Sequence, residues 1–170
     1  MDVSDVVLDL LVFLHVLSAM GWLGGGLFTA FALAPNLRKM SPMASLEFNS
    51  KVLPKVITFV RAASGATVLF GVILLGYTYS QDSTYFSSTA GESVSAGIVL
   101  AVLAFVIAFG MTIPAFVKVS RLSESALQGG QQGPPSPEMM GAAKRAGMGA
   151  RIGVILLLLA LAAMVVAGNS

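Results

Sequence analysis

The 170-residue chain contains no cysteine, a single histidine and a single tryptophan, and only 11% of its residues are charged. The lack of cysteine excludes disulfide scaffolds, iron–sulfur clusters and thiolate zinc sites. Soluble domains carry about 25% charged residues, whereas this chain has 56% hydrophobic residues and a mean hydropathy of +0.86. Its ten Lys and Arg residues are spread along the chain, which argues against a nucleic-acid-binding patch. The composition therefore indicates a small integral membrane protein.

Four apolar runs are long enough to cross a lipid bilayer, which takes about 20 helical residues. They cover residues 6–33, 53–79, 94–119 and 142–167. In lipid only a helix or a closed barrel satisfies its backbone, and these runs do not alternate as barrel strands would. Residues 128–137 are rich in Gly, Gln and Pro, which predicts a flexible linker over about 122–138. We therefore expect one all-α domain over residues 1–170, a bundle of four transmembrane helices.

The charged residues are sorted between the two sides of this predicted bundle. All ten basic residues lie in or beside the first and third connectors: Arg38, Lys39, Lys51, Lys55, Arg61, Lys118, Arg121, Lys144, Arg145 and Arg151. The opposite side carries only acidic residues: Asp2, Asp5, Asp9, Asp82 and Glu92. Basic loops face the cytoplasm, so we expect a multi-pass plasma-membrane protein with both termini outside. The basic surface is also suited to anionic lipid headgroups.

Proline marks the inner ends of the first and third runs. Ala34-Pro35 and Ile113-Pro114 are each followed by basic residues. The likeness indicates either an old hairpin duplication or two helix ends of the same kind. In the first connector, Ser41-Pro42 is typical of a turn or of the start of a short interfacial helix.

The only histidine, His15, lies inside the first run, about 13 Å from its outer end at helical rise. An ionisable side chain at that depth usually faces protein or a cavity rather than lipid. Ser18, Trp22 and Gly26 follow it at i+3, i+7 and i+11, on one helix face. His15 is either a hydrogen-bonded residue in a helix interface, or a metal or haem ligand beside a flat cavity that Gly25 and Gly26 leave open.

Arg61 is a second charged residue inside an apolar run, about 12 Å from the inner end of the second helix. Its long side chain can reach back to the headgroups. Alternatively it meets an anionic partner inside the bundle, and no acidic residue of the chain lies at that depth. A carboxylate of a bound cofactor would fill this role.

The first run also contains a GxxxG pair, Gly21 and Gly25, a spacing typical of helix–helix contact in membranes. Because the chain has one histidine, it offers no second imidazole for the far side of a haem iron. A homodimer through the first helix would bring two copies of His15 together, and we expect such a dimer.

The segments Leu14–Phe28 and Ala34–Arg38 resemble the first helix of the copper-resistance D-like membrane superfamily. The shared pattern is a His, a Trp seven residues later, a Gly pair, and a Pro with a basic residue at the helix end. Phe59–Gly71 resembles the second helix of that group, which includes the HemJ-type membrane protoporphyrinogen oxidases. The resemblance implies haem b with His15 as the axial ligand, Trp22 beside the porphyrin ring, and Arg61 as a partner for a propionate or substrate.

The predicted function is therefore that of a membrane haem b-binding protein that transfers electrons or binds a small ligand, with a quinone or another redox molecule as partner. Protoporphyrinogen oxidase activity is one alternative. A second is copper handling, because Met40 and Met43 lie at i+3, Met139 and Met140 are adjacent, and thioethers suit Cu(I). A third is a membrane assembly subunit without a cofactor. Motifs of serine hydrolases and P-loop enzymes are absent from the sequence.

Overall fold

The computed structural model describes residues 3–37, 39–130 and 133–168, and the regular elements over these ranges are all helical. The predicted charge pattern includes Asp2 and Arg38, and the predicted linker includes Gln131 and Gln132; these four lie outside the described residues. In chain order the helices α1 to α7 cover Val3–Leu27, Ala34–Leu37, Pro42–Lys51, Leu53–Gln81, Thr89–Ile107, Ile113–Gln128 and Pro137–Ala167. Two π-helical segments, Phe28–Leu33 and Ala108–Thr112, and a 3₁₀ turn, Tyr85–Ser87, join them.

Four continuous helical rods are long and apolar enough to cross a membrane, which confirms the all-α four-helix membrane bundle. They cover Asp5–Leu37, Leu53–Gln81, Thr89–Gln128 and Pro137–Ala167. Many large apolar side chains lie on their outer surfaces, as expected of helices that face lipid.

The connector between the third and fourth rods is shorter than the predicted linker at 122–138. Helix α6 continues to Gln128 and α7 begins at Pro137. The continuation of α6 is stable because it is amphipathic and buries Val119, Ser123 and Ala126. The composition of the linker, taken alone, did not show this buried face.

Serine caps start three of the helices. Ser41, Ser88 and Ser136 each precede a helix, and each side-chain oxygen accepts a hydrogen bond from a backbone N–H three residues on, at 3.1 to 3.3 Å. Two of these helices have proline directly after the cap, where its missing N–H costs nothing. The structure thus places a short helix, α3, at Ser41-Pro42.

The two π-helical segments lie immediately before the two inner-end prolines. Pro35 and Pro114 are each the second residue of the α-helix that follows a π segment. Proline lacks an N–H and its ring collides with the carbonyl four residues earlier, at Phe31 and Gly110. Both of these residues lie within the π segments, where wider hydrogen-bonded turns accommodate the proline rings.

The rods pack as two pairs, α1 along α4 and α5 along α7. The pairs meet mainly where α1 contacts α7 and where α4 contacts α6. Trp22 on α1 and Phe105 on α5 also meet edge to face, with ring centroids 6.1 Å apart. Within the second pair, α5 lies close to α7 because Gly97 has no side chain: a Cβ there would come within 3.2 Å of the Ala160 carbonyl oxygen.

One end of the bundle, called here the basic end, is formed by α3, the start of α4, α6 and the start of α7. Its apolar core includes Leu46, Ile57, Val119 and Met139, one from each of these helices. The nine described Lys and Arg residues lie on or beside the elements that build this end. The core therefore holds the basic connectors against the bundle as ordered structure.

The opposite end is closed by the connector after α4. The Asp82 carboxylate accepts hydrogen bonds from the Thr84 hydroxyl at 2.7 Å and the Thr84 backbone N–H at 2.8 Å. These bonds favour the charged form and lower the pKa of Asp82. Gly91 then packs directly against the backbone of Tyr85 and Phe86, so this turn is tight.

Gly149 is expected to be essential for the contact between α7 and the second π segment. A Cβ at this position would overlap the Thr112 hydroxyl and approach Met111 Cε to 2.8 Å. We expect Gly149→Ala to destabilise the protein by about 1–3 kcal/mol, the usual cost of overpacking. Thermal unfolding in detergent measures this effect.

Gly147→Ala is the matched control on the same helix, because a Cβ there meets nothing within 4 Å. Alanine is favoured over glycine in a helix by up to about 1 kcal/mol, so this variant should unfold at an equal or higher temperature. Equal stability of the two variants would contradict the close contact.

Candidate functional site

His15 lies between α1 and α4, half-buried, with its ring fixed by the backbone of the neighbouring helix. Its Nδ1 donates a hydrogen bond to the carbonyl oxygen of Thr67, at 2.9 Å. One turn further along α4, Gly71 faces the ring: a Cβ there would lie 3.0 Å from His15 Cε1 and 3.3 Å from Nδ1. The missing side chain of Gly71 therefore lets the imidazole lie close against α4.

The bond to Thr67 determines which ring nitrogen is available for other chemistry. A carbonyl oxygen only accepts hydrogen bonds, so the proton of the neutral imidazole is on Nδ1 and Nε2 carries a free lone pair. Within the described residues, the bond to Thr67 is the one hydrogen bond that His15 makes, and Nε2 takes no part in it. Histidines that bind metals commonly show this arrangement, with one nitrogen held by a carbonyl and the other directed at the metal.

The GxxxG pair of α1 contacts α4 of the same chain. A Cβ at Gly21 would lie 3.4 Å from Ala63 Cβ, and one at Gly25 would lie 3.4 Å from Phe59 and Val60 side-chain atoms. These glycines therefore bring α1 and α4 close together next to His15. They serve a contact within the chain, and a dimer through the first helix stays a prediction that would use another face of α1.

A separate cavity of about 60 Å³ lies in the middle of the bundle, toward the basic end. Trp22 and Gly26 line it, together with Thr29 and Thr112, the buried threonines of the two π segments. This volume holds about four waters, far less than the roughly 300 Å³ or more of a typical ligand site. His15 is not among the lining residues.

The polar groups at this cavity are few. Thr29 donates its hydroxyl proton to the Gly25 carbonyl at 2.7 Å, and Thr112 donates to the Ile107 carbonyl at 3.3 Å. Each hydroxyl oxygen can still accept a hydrogen bond. The cavity thus offers two hydroxyl oxygens as acceptors, which suits small polar molecules or water.

The remaining predicted site residues lie apart from one another. The Ser18 hydroxyl donates to the Leu14 carbonyl of its own helix, at 2.7 Å. Arg61 is exposed on the surface of α4, and no carboxylate of the described chain lies within 4.0 Å of it. The structure therefore brings His15 and Gly25 to the α1–α4 contact, Trp22 and Gly26 to the central cavity, and Arg61 to the outer surface.

Two residues of the His15 site were missed by reasoning from the sequence. Thr67 acts through its backbone carbonyl, and Gly71 acts through the space that its missing side chain leaves. Thr67 and Gly71 are four residues apart, so the sequence places them on one face of the second helix. That this face meets His15 follows only from the pairing of α1 with α4.

The methionine pairs named for copper differ in exposure, and copper handling stays a prediction. Met139 is 5% exposed within the core of the basic end, whereas its neighbour Met140 is 54% exposed. Met40 and Met43 both lie on the surface. Within the described ranges, no three His, Cys, Asp or Glu side chains cluster as metal ligands.

Comparison with protein-family models, curated proteins and solved structures finds no match for this chain.

Proposed function

We propose that this membrane protein binds haem b through Nε2 of His15 and serves in electron transfer or in binding a small ligand such as a quinone. The main support for the proposal is that Nδ1 of His15 is hydrogen-bonded to the Thr67 carbonyl, which leaves the lone pair of Nε2 for a ligand. When bound, the haem would supply one-electron chemistry at its iron. The protein would orient the ligand through the Thr67 carbonyl and keep the ring in place through the small residue at Gly71.

The energetics of a half-buried imidazole within a membrane span support a ligand at Nε2. A polar atom left without a partner away from water costs about 1–3 kcal/mol. A structural role alone would use His15 only for the single bond to Thr67 and leave the second nitrogen unsatisfied. Coordination of a metal would use that nitrogen. A ligand role therefore explains a histidine at this depth better than a structural role does.

The available space limits where a porphyrin can lie. The central cavity of about 60 Å³ is too small and does not reach His15. The half-buried ring of His15 is accessible at the side of the α1–α4 pair, so we place the group there. Arg61 lies six residues from Thr67 on α4, about 9 Å along the axis toward the basic end. It remains the candidate counter-charge for a propionate.

A second copy of the chain would be needed for a second imidazole, because the chain has one histidine. The exposed apolar row of α1 that includes Leu10, Phe13, Leu17 and Met20 does not suit this contact. Each of these residues lies two or five positions from His15, which puts it roughly 140–160° away around the helix. The homodimer stays part of the proposal through the side of α1 that carries His15, in the plasma membrane with the basic end toward the cytoplasm.

The first test removes the proposed ligand and restores it chemically. We expect the wild-type protein, purified in detergent from cells with ample haem, to show a Soret band. His15→Gly should lose most of this band because Nε2 is gone, and added imidazole should restore it by occupying the same space. An absorption spectrum measures both effects.

Haem retained by His15→Gly with an unchanged ligand signature would contradict the role of His15. A colourless wild-type preparation, free of iron and copper by metal analysis, would favour the alternative of an assembly subunit without a cofactor. Copper without haem would favour the copper-handling alternative. Oxidation of protoporphyrinogen by the haem-loaded protein would identify the oxidase among haem functions.

The second test moves the imidazole without removing it. In Gly71→Ala the added methyl group would press on Cε1, so we expect a shifted Soret band or several-fold lower haem retention. Gly76→Ala on the same helix is the matched control, since a Cβ there meets nothing within 4 Å. Absorption spectra of both variants at equal protein concentration give the result, and identical spectra would argue against iron at this ring.

A further inference from the structure

A groove between the end of the third rod and the start of α7 opens on the surface at the basic end. Its volume is about 410 Å³. Lys118 from α6 lies on one wall, and Glu138 and Arg145 from α7 lie on the other. It is separate from the His15 site, which lies on the α1–α4 pair.

The charges in this groove are only partly paired. Lys118 Nζ lies 2.7 Å from Glu138 Oε1. Arg145 also lines the groove, and no carboxylate within the described ranges lies within 4.0 Å of it. Two cations and one carboxylate leave the groove with one net positive charge. A guanidinium without a carboxylate partner in a groove is suited to a phosphate, which it can bind through two parallel hydrogen bonds.

The groove changes from apolar to charged along its length. Gly110, Met111 and Pro114 line the part that lies deeper in the membrane span. Lys118 lies eight residues beyond Gly110, about 12 Å nearer the basic end. On the opposite wall, Gly141 adds no side chain, and a Cβ at Gly110 or at Gly141 would meet nothing within 4 Å. The groove therefore combines an apolar channel with a cationic mouth.

We propose that this groove binds one anionic phospholipid, with its phosphate at Arg145 and Lys118 and an acyl chain along Gly110, Met111 and Pro114. Basic grooves between transmembrane helices recognise headgroups in this way. The net charge of the groove complements a singly charged lipid better than a zwitterionic one. Glu138 holds Lys118 in place and limits the total positive charge.

The test measures lipid retention by the purified full-length protein. Native mass spectrometry counts phosphatidylglycerol bound per chain, with phosphatidylcholine of the same acyl chains as the comparison. We expect preferential retention of phosphatidylglycerol. Arg145→Gln should reduce it about fivefold, which corresponds to about 1 kcal/mol per basic residue near a lipid surface.

Lys144→Gln is the matched control, because Lys144 is the exposed neighbour of Arg145 on α7 and does not line the groove. It should change retention less than twofold. Equal losses in the two variants would mean general attraction to a basic surface and would overturn the site. Glu138→Gln should increase retention, because it raises the net charge of the groove.

A second pair of variants tests the acyl chain. Gly110→Leu places a side chain in the deeper, apolar part of the groove and should lower retention several-fold, whereas Gly147→Leu, outside the groove, should not. Thermal unfolding of each variant shows that the bundle is intact. Displacement of the bound lipid by millimolar inorganic phosphate would identify a site for free phosphate and would overturn the lipid proposal. Loss of haem binding in any His15 variant leaves this result unaffected, because the two sites share no residue.

Discussion

Lipid offers no hydrogen bonds, so each polar group within the membrane spans must find its partner inside the protein. The hydroxyls of Ser18, Ser64 and Thr67 meet this constraint in the same way. Each donates to the carbonyl one turn earlier in its own helix, at 2.7 to 2.8 Å. This local solution costs no packing space, and it lets the rods keep serine and threonine on buried faces. Polar groups that the helix cannot satisfy by itself are therefore few and informative.

His15 is the clearest of these groups, because it reaches across to a second helix. Its Nδ1 bonds to the Thr67 carbonyl, which joins α1 to α4 at a single polar contact. Around that contact, small residues bring the two helices together: Gly21 and Gly25 on α1, and Gly71 on α4. One imidazole nitrogen thus contributes to the packing of the pair, and the other remains available for a ligand.

Proline and glycine shape the second pair of rods in a related manner. Pro114 widens the helix before it into a π segment, which turns Thr112 toward the middle of the bundle. Gly149 on α7 leaves the space that Thr112 then occupies. The first rod has the same order, with Pro35 after a π segment that carries Thr29. The small central cavity lies between these two distortions.

Much of this fold could be predicted from the sequence, because span length and hydropathy are properties of single segments. The four rods, the helical class and the short helix after Ser41 follow from residues close together in the chain. The course of α6 could not be predicted in this way. The Gly-, Gln- and Pro-rich residues begin at Gln128, where α6 ends, but the predicted linker began at 122, and α6 continues past it because Ser123 and Ala126 are buried against other helices.

The same distinction explains the candidate site. His15 was recognisable because a lone ionisable group in an apolar run is unusual wherever the run packs. Its partner is a backbone carbonyl, which every residue has, so no side chain in the sequence marks Thr67. Trp22 was expected on the same helix face as His15 because it follows at i+7, and Arg61 was expected to reach a cofactor that spans the difference in depth. Neither spacing nor depth determines which neighbouring helix a side chain meets, and the structure turns Arg61 outward and Trp22 toward Phe105.

Unpaired polar groups therefore carry most of the functional information in a chain with so little charge. A soluble protein can leave a lone pair or a guanidinium facing water at little cost, but a bundle in lipid cannot. The Nε2 atom of His15 is such a group within the first pair of rods, whereas the guanidinium of Arg145 is exposed on α7 at the basic end. Nε2 belongs to a half-buried ring whose other nitrogen is bonded to α4. The guanidinium of Arg145 lines a groove at the basic end.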